Sequence, residues 1–177
     1  MNKETSIREP RNENKRLTFF FSQQLKEWKT ARYRFKDLKK VKTKKITCRE
    51  NTLQVQFNPA RMVSTGAKID KNSLAKRPCF LCAKNRPQEQ IFIRLDENFD
   101  LLVNPFPILP MHFTIAAQRH QLQNILPNYT EIHNFLSVYD NLTVFYNGPK
   151  CGASAPDHLH FQAGITGLLP LQKEWAR

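Results

Sequence analysis

Apolar side chains near the start of the chain recur at the spacing of a helix. They stand three or four residues apart at Leu17, Phe21, Leu25 and Trp28. This spacing places them on one helical face and predicts a helix from residue 15 to about residue 40. Residues 1–14 are polar and predict a flexible tail. The remaining face of the helix is basic, which suits either contact with nucleic acid or an ordinary solvated surface.

Further along the chain, polar and apolar residues alternate in short runs. Successive side chains of a strand point to opposite faces, so alternation predicts strands. The predicted strands cover residues 45–49, 53–57, 91–95, 100–104, 112–116, 143–147 and 158–163. Short polar turns separate several of them, which favours antiparallel pairing.

Helical spacing returns in the second half of the chain. Residues 121–125 and 129–141 are predicted helices, and the second carries an apolar stripe. That stripe consists of Ile132, Phe135, Leu136 and Tyr139. Residues 64–78 predict a surface loop, and three prolines exclude regular structure from residues 104–110. The expected fold class is α+β, an antiparallel sheet flanked by helices.

Composition limits the kind of protein. With 177 residues and 40% hydrophobic content, the chain is long enough for one domain with a core. The net charge of +13 favours a polyanionic partner, although a solvated basic face is the simpler explanation. No apolar run is as long as a membrane span, and the first residues lack the apolar core of a secretory signal. We therefore expect a cytoplasmic protein with no membrane partner.

Cysteine usage suggests a metal site. Cys79 and Cys82 form a C-x2-C pair, a spacing with which two thiolates grip a tetrahedral zinc ion. Without an export signal, thiols or metal ligands are expected rather than disulfides. The two missing ligands would be histidines, for which the candidates are His112, His120, His133 and His158. Two alternatives stay open, namely buried cysteines that act as small hydrophobic residues and a redox-active pair.

The most informative segment is His158-Leu159-His160-Phe161-Gln162. In an extended segment, both imidazoles and the amide share one side, and the two apolar side chains point into a core. Imidazole is nucleophilic near neutral pH and can form a covalent intermediate. An amide can donate a hydrogen bond to an oxygen that gains charge. The segment therefore predicts phosphoryl or nucleotidyl transfer, in a pocket suited to an anion.

Other polar residues suit a phosphorylated ligand. Arg61 follows a strand end, where its guanidinium could bind phosphate or form a structural salt bridge. Asn104 could bind a ribose or a base, or could cap a turn. The loop from Asn147 to Ser154 contains small residues that allow backbone donors to approach an anion, although alone it is an ordinary hairpin loop.

Together these motifs resemble the histidine-triad-like nucleotidyltransferase and phosphorylase superfamily. That group contains galactose-1-phosphate uridylyltransferase, diadenosine tetraphosphate phosphorylase and GDP-L-galactose phosphorylase. The motifs are Cys79-x-x-Cys82, Asn104-Pro105-Phe106-Pro107, the His120 segment, Asn147, Gly152-Ala153-Ser154 and His158-Leu159-His160-Phe161-Gln162. The resemblance covers roughly residues 55–170. Residues 58–61 and 167–174 look most like the GDP-L-galactose phosphorylase branch.

The resemblance implies a catalytic role for the last motif. His160 would attack the α-phosphorus of a nucleoside diphosphate sugar or dinucleoside polyphosphate and carry the nucleotidyl group. Phosphate or a sugar 1-phosphate would then accept that group. Gln162 would bind the phosphoryl oxygens as charge develops, and Ser154 and Asn147 would bind further phosphate oxygens.

The resemblance also implies a structural zinc ion. Its ligands would be Cys79, Cys82, His120 and His158. Because His158 is the first histidine of the motif that carries the nucleophile, zinc would orient the catalytic strand rather than take part in the chemistry.

The resemblance further implies how the chain is organised. A flexible tail would cover residues 1–14, an N-terminal basic helix residues 15–45, and a histidine-triad-like domain residues 46–177, as one half of a longer two-half enzyme. A homodimer is another way to complete the site. The alternatives are a nucleotide hydrolase of the same fold and a non-catalytic fragment that binds nucleotide or nucleic acid. Nucleic acid is not the expected partner of the enzyme.

Overall fold

The computed structural model describes residues 13–49, 51–61, 66 and 68–175. The expected tail lies outside these residues except for its last two, Glu13 and Asn14, which open the first helix. Among the described helices, none combines the length and the apolar character that crossing a membrane requires.

The described residues form helices and antiparallel strands in mixed order. The helices are α1 (Glu13–Glu27), α2 (Lys29–Asp37), α3 (Lys71–Lys76), α4 (Tyr129–Val138) and α5 (Pro170–Trp175). The strands are β1 (Lys42–Cys48), β2 (Asn51–Phe57), β3 (Phe92–Arg94), β4 (Phe99–Val103), β5 (His112–Ala117), β6 (Leu142–Phe145) and β7 (His160–Ile165). The predicted α+β class is confirmed.

The central sheet has the strand order β3-β4-β5-β7-β6, and every neighbouring pair is antiparallel. Ala116 of β5 pairs with His160, and Thr114 pairs with Gln162. The motif strand β7 is therefore held by hydrogen-bond ladders on both sides, and side chains on such a strand are well positioned for a site. Strands β1 and β2 form a separate hairpin in which every side chain assigned a burial class is exposed.

One face of the central sheet packs against α1 and α4 to form the main core. Phe20 of α1 lies 6.4 Å from Phe113 of β5, measured between ring centroids, and both side chains are fully buried. Leu159 and Phe161 point into the same core, as the alternation predicted. Burying a phenylalanine or leucine of this kind contributes about 1.5–3 kcal/mol. His160 therefore lies on the other face.

The long helix predicted from residue 15 is two helices that meet at Trp28. The backbone of Trp28 is extended, with φ −99° and ψ 91°, so α2 begins in a new direction. The Trp28 side chain is buried at this corner. The helical spacing of the apolar residues continues across this one extended residue, so it does not reveal the break between the two helices. The predicted segment also ends early, since Lys42–Cys48 form β1.

Two other predicted elements are wrong. Helix α3 lies inside the segment expected to be a loop, because the Asp70 side chain caps it by accepting from the Ser73 backbone N–H at 3.0 Å. Residues 62–65 and 67 of that neighbourhood are outside the described part. The helix expected at residues 121–125 is absent from the described chain, because the Gln121 carbonyl accepts from the Leu159 N–H at 2.7 Å and holds the segment against β7.

A buried ion pair ties the cysteine segment to the sheet. Arg86 Nη1 lies 2.8 Å from Asp100 Oδ2 of β4, and the two side chains are 0% and 3% exposed. The Arg86 Nε–H also donates to the Leu81 carbonyl at 2.8 Å. The segment after Cys79 is therefore anchored to β4 through one guanidinium.

We expect Asp100→Ala to lower the free energy of unfolding by about 3–5 kcal/mol, because it leaves the buried Arg86 charge without a counter-ion. Urea unfolding measures the change. The matched control is Asp37→Ala, which removes an exposed pair with Lys40 and costs about 0–1 kcal/mol. Equal losses in the two variants would contradict the anchoring role of Arg86.

Candidate active site

A cavity of about 360 Å³ lies on the sheet face opposite the main core. That volume is in the range of small-molecule sites. Its walls include His160 and Gln162 together with all four residues predicted to bind substrate. Those four are Arg61, Asn104, Asn147 and Ser154. Residues far apart in the sequence are therefore brought together around one space.

His160 presents a neutral imidazole to this cavity. Its Nδ1 lies 2.8 Å from the backbone carbonyl of His158. A carbonyl can only accept, so Nδ1 carries the proton and Nε2 carries the lone pair. Burial lowers the pKa of His160, and the hydrogen bond to His158 and the charge of Asp157 oppose this only in part. The Nε2 atom is therefore the nitrogen of His160 that can act as a nucleophile.

Gln123 fixes the backbone of His160. The side-chain Oε1 of Gln123 accepts from the His160 backbone N–H at 2.7 Å. Its amide donates to the carbonyls of Asn147 and His160, at 2.9 and 3.0 Å. The side chain is buried and clamps the start of β7 to the start of the 147–154 loop. Sequence reasoning missed Gln123, since one glutamine in a polar stretch carries no signal.

A hydrogen-bonded chain orients the amide of Gln162. The Ile108 N–H donates to His112 Nδ1 at 3.3 Å, so His112 carries its proton on Nε2. That Nε2–H donates to Gln162 Oε1 at 2.9 Å, which leaves the Gln162 –NH2 group for the cavity. Gln162 is therefore oriented as a donor.

His112 has a different role from the one proposed for it as a candidate metal ligand. It lies in β5 next to Gln162 and stacks on Phe145, with ring centroids 5.8 Å apart. Burial lowers the pKa of His112 to about 3, and the charge of Arg61 lowers it further than the bond to Gln162 raises it. The imidazole therefore stays neutral at physiological pH and keeps the donor that holds Gln162.

Asn104 shapes the cavity wall by capping a turn. Its Oδ1 accepts from the Phe106 N–H at 2.8 Å, and its amide donates to the Thr114 hydroxyl at 3.1 Å. These bonds support the turn-capping alternative. One amide hydrogen of Asn104 remains for a ligand.

Behind the cavity, four side chains form a cluster suited to a metal ion. The members are Cys79, Cys82, His120 and His158, and their ligand atoms all lie within 4.8 Å of one another. Cys79 Sγ is 3.3 Å from His158 Nδ1, and Cys82 Sγ is 3.2 Å from His120 Nδ1. Two thiols and two imidazoles at these separations suit tetrahedral zinc. These are the four residues that the resemblance implied.

The protonation of His158 suits metal binding. Its Nε2 donates to the Ala117 carbonyl at 2.7 Å, so the Nδ1 lone pair points at the cysteines. A carbonyl partner of this kind commonly orients a metal-bound histidine. Burial raises the pKa of Cys79 to about 11, so a cation is needed to keep it as a thiolate near neutral pH. The donor set therefore fits zinc.

His158 has different surroundings from His160. It lies outside β7, which begins only at His160, and its fully buried side chain faces the cysteine pair. The expectation that both imidazoles would border the pocket is met by His160, whereas His158 supports the strand from behind.

The cluster is connected to the 147–154 loop. His120 Nε2 lies 3.7 Å from Asp157 Oδ2, and Asp157 Oδ1 lies 3.7 Å from Arg77 Nη2. Arg77 in turn donates to the Ser154 carbonyl at 2.7 Å. The Arg77 guanidinium thus links the surroundings of His120, a candidate metal ligand, to Ser154, one of the residues predicted to bind phosphate.

Comparison with solved structures agrees with this architecture. Yeast Ap4A phosphorylase Apa2 in complex with AMP matches with a TM-score of 0.50 and 21% identity, over 85% of this chain and 52% of that chain. The same enzyme in complex with Ap4A gives 0.47 and 22%, over 82% and 54%. A histidine triad protein from Clostridium difficile gives 0.37 and 19%, over 52% and 90%. The chain spans about half the length of the phosphorylase.

The fold is similar to that of part of yeast Ap4A phosphorylase Apa2. A family model described as a domain of unknown function, DUF4922, matches residues 20–165. The chain therefore belongs to the DUF4922 family. No curated protein matches it.

Elemental analysis should find about one zinc ion per chain, because the cluster offers one tetrahedral donor set. Cys79→Ser should lose the metal and lower thermal stability, since binding to the native state stabilises it. Cys48→Ser and Cys151→Ser are the controls, because both residues are exposed free cysteines outside the cluster. Zinc retained by Cys79→Ser would contradict the assignment.

Stability should depend on pH through His112. Its pKa falls from 6.5 to about 3 on folding, so the unfolded chain binds more protons between these values. The free energy of unfolding should therefore decrease as pH falls from about 6.5 toward about 3. Denaturant unfolding at about pH 7 and about pH 5 measures the decrease, which His112→Gln should reduce. His133→Gln, at an exposed position, should leave it unchanged.

Proposed function

We propose that this chain carries the nucleophile of a nucleotidyltransferase or phosphorylase that works through a nucleotidyl-histidine intermediate on His160. The observation that carries the proposal is that His160 and Gln162 line the same cavity with fixed hydrogen-bonding roles. Arg61, Asn147 and Ser154 line the same space. The proposed substrates are a dinucleoside polyphosphate or a nucleoside diphosphate sugar, in keeping with the AMP and Ap4A held by the structural neighbour.

In the first step, the His160 Nε2 lone pair attacks the α-phosphorus and a P–N bond forms. The bond from phosphorus to the bridging oxygen breaks, and the leaving nucleoside polyphosphate or sugar 1-phosphate takes the electron pair. The imidazole gains positive charge while Nδ1 keeps its proton. The His158 carbonyl, 2.8 Å from that nitrogen, stabilises this charge.

The Gln162 amide contributes at the phosphoryl group. Its –NH2 group donates to a non-bridging oxygen as negative charge grows there. The donor is held in place by His112, so no reorientation is needed during the reaction. Arg61 adds positive charge on the same side of the sheet.

In the second step, phosphate or a sugar 1-phosphate attacks the same phosphorus. The P–N bond breaks and its electron pair returns to Nε2, which restores neutral His160. Zinc, when bound by the Cys79 cluster, supplies a rigid support for His158 rather than reaction chemistry.

The GDP-L-galactose phosphorylase-like specificity and a cytoplasmic location are part of the proposal. None of the four cysteines is paired in a disulfide, which suits a reducing compartment.

Incubation with a nucleotide donor radiolabelled at the α-phosphate should leave an acid-labile, base-stable label on the protein, as a phosphorus–nitrogen bond does. His160→Ala should remove the label, because no other cavity-lining residue among those described carries an imidazole. His133→Ala is the matched control, since His133 lies exposed on α4 and should not affect labelling.

Product analysis with and without phosphate separates the two versions of the second step. Turnover that requires phosphate or a sugar 1-phosphate supports the transferase, whereas turnover in water alone indicates a hydrolase of the same fold. Equal labelling of the wild-type protein and His160→Ala would overturn the covalent mechanism.

A further inference from the structure

The residues that line the cavity are polar near β7 and mostly apolar near β4. Leu102, Thr114 and Gln162 form one row across β4, β5 and β7. Two strand spacings separate Leu102 from Gln162, which is about 10 Å. The phosphate-binding candidates lie around β7, so the β4 side is the place for the rest of a nucleotide.

The β4 side of the cavity is lined by aromatic and aliphatic side chains. The aromatic ones are Trp28 and Phe106, and the aliphatic ones are Leu81 and Leu102. Arg34 of α2 lies over the Phe106 ring at 3.9 Å and donates to the Pro105 carbonyl at 3.3 Å, which steadies this ring. Aromatic walls of this kind suit a flat heteroaromatic ring, because both partners have π faces that stack.

One polar side chain stands among these apolar walls. Gln90 lines the cavity and is only 6% exposed. Its Nε2 donates to the Val103 carbonyl at 3.2 Å, which fixes which end of the amide is oxygen. None of the hydrogen bonds found within the described chain ends on Gln90 Oε1. Since Gln90 Oε1 is not among the fully buried side-chain atoms that lack a partner, it is open to the cavity, where a ligand can donate to it.

The N-terminal helix holds Gln90 in position. Gln24 of α1 is fully buried and donates from Nε2 to the Glu89 carbonyl at 2.7 Å. Its Oε1 accepts from the Ile91 N–H at 2.9 Å. The backbone on both sides of Gln90 is thus clamped, and the Trp28 corner one turn further along the helix closes the same wall.

We infer that this end of the cavity is a nucleobase subsite built by the N-terminal helices, in which Gln90 Oε1 accepts an N–H from the edge of the base. The inference rests on the proposed function and adds the residue that reads the base. A base that places an acceptor opposite Gln90 is disfavoured, because two acceptors then face each other without a proton.

Calorimetric titration of the full chain with AMP, GMP, CMP, UMP and ribose 5-phosphate tests the subsite. The preferred nucleotide should bind roughly tenfold to a hundredfold more tightly than ribose 5-phosphate, which lacks the base. Gln90→Met keeps the length of the side chain but removes the acceptor. It should reduce the differences among the four nucleotides and leave ribose 5-phosphate unaffected. Gln88→Met, at an exposed position two residues away, is the matched control.

A second measurement does not depend on the Gln90 variant being stable. The chain has two tryptophans, so Trp175→Phe leaves Trp28 as its single indole. Nucleotides should change the Trp28 fluorescence by stacking nearby, and ribose 5-phosphate should not.

The outcomes separate this inference from the function on which it rests. Nucleotides that bind no more tightly than ribose 5-phosphate, or Gln90→Met losses that are equal for every ligand, overturn the base subsite and leave the phosphate site standing. Nucleotide binding that leaves Trp28 fluorescence unchanged also overturns it. A wild-type protein that binds neither nucleotides nor ribose 5-phosphate overturns the proposed function and the subsite with it.

Discussion

The site depends on one contact, the hydrogen bond from His160 Nδ1 to the His158 carbonyl. This bond decides which nitrogen of His160 has a free lone pair. The same residue, His158, sends its side chain into the cysteine cluster and binds the Ala117 carbonyl of β5. His158 thus contacts the cysteine cluster through its side chain and fixes the tautomer of the proposed nucleophile through its backbone.

A common device orients the other polar side chains of the cavity. A backbone carbonyl can only accept a hydrogen bond, and a backbone N–H can only donate one. Each therefore fixes whether the imidazole or amide atom that it contacts is a donor or an acceptor, and this defines the role of the atom at the other end. The Ile108 N–H fixes the tautomer of His112, and His112 in turn fixes the orientation of the Gln162 amide. The Val103 carbonyl fixes the orientation of the Gln90 amide. Burial lowers the pKa of both His112 and His160, which favours the neutral imidazoles on which these assignments depend.

The sequence correctly predicted to which face of the sheet the side chains of β7 point, but not how deeply His158 is buried. Alternation placed Leu159 and Phe161 in the core and His160 on the other side, because side-chain direction is a local property of a strand. Whether a histidine on that side is open or buried depends on what packs over it. The cysteine segment covers His158, and no local pattern reveals that.

The errors in the predicted elements have related causes. The helix expected at residues 121–125 is replaced by an irregular segment that accepts a hydrogen bond from Leu159, a residue far along the chain. The break at Trp28 and the clamps made by Gln24 and Gln123 also arise from tertiary contacts rather than from spacing. The motif residues around the cavity could be named because their chemistry is distinctive, whereas the glutamines that hold them resemble any surface glutamine.

The use of a main-chain atom to set the tautomer has an evolutionary consequence. Every residue type has a carbonyl, so the proton on His160 does not depend on which side chain occupies position 158. A protein of this fold with another residue at position 158 and no cysteine pair would therefore keep the same tautomer at His160. Its strand would need apolar packing where the sulfur atoms of Cys79 and Cys82 lie in this chain.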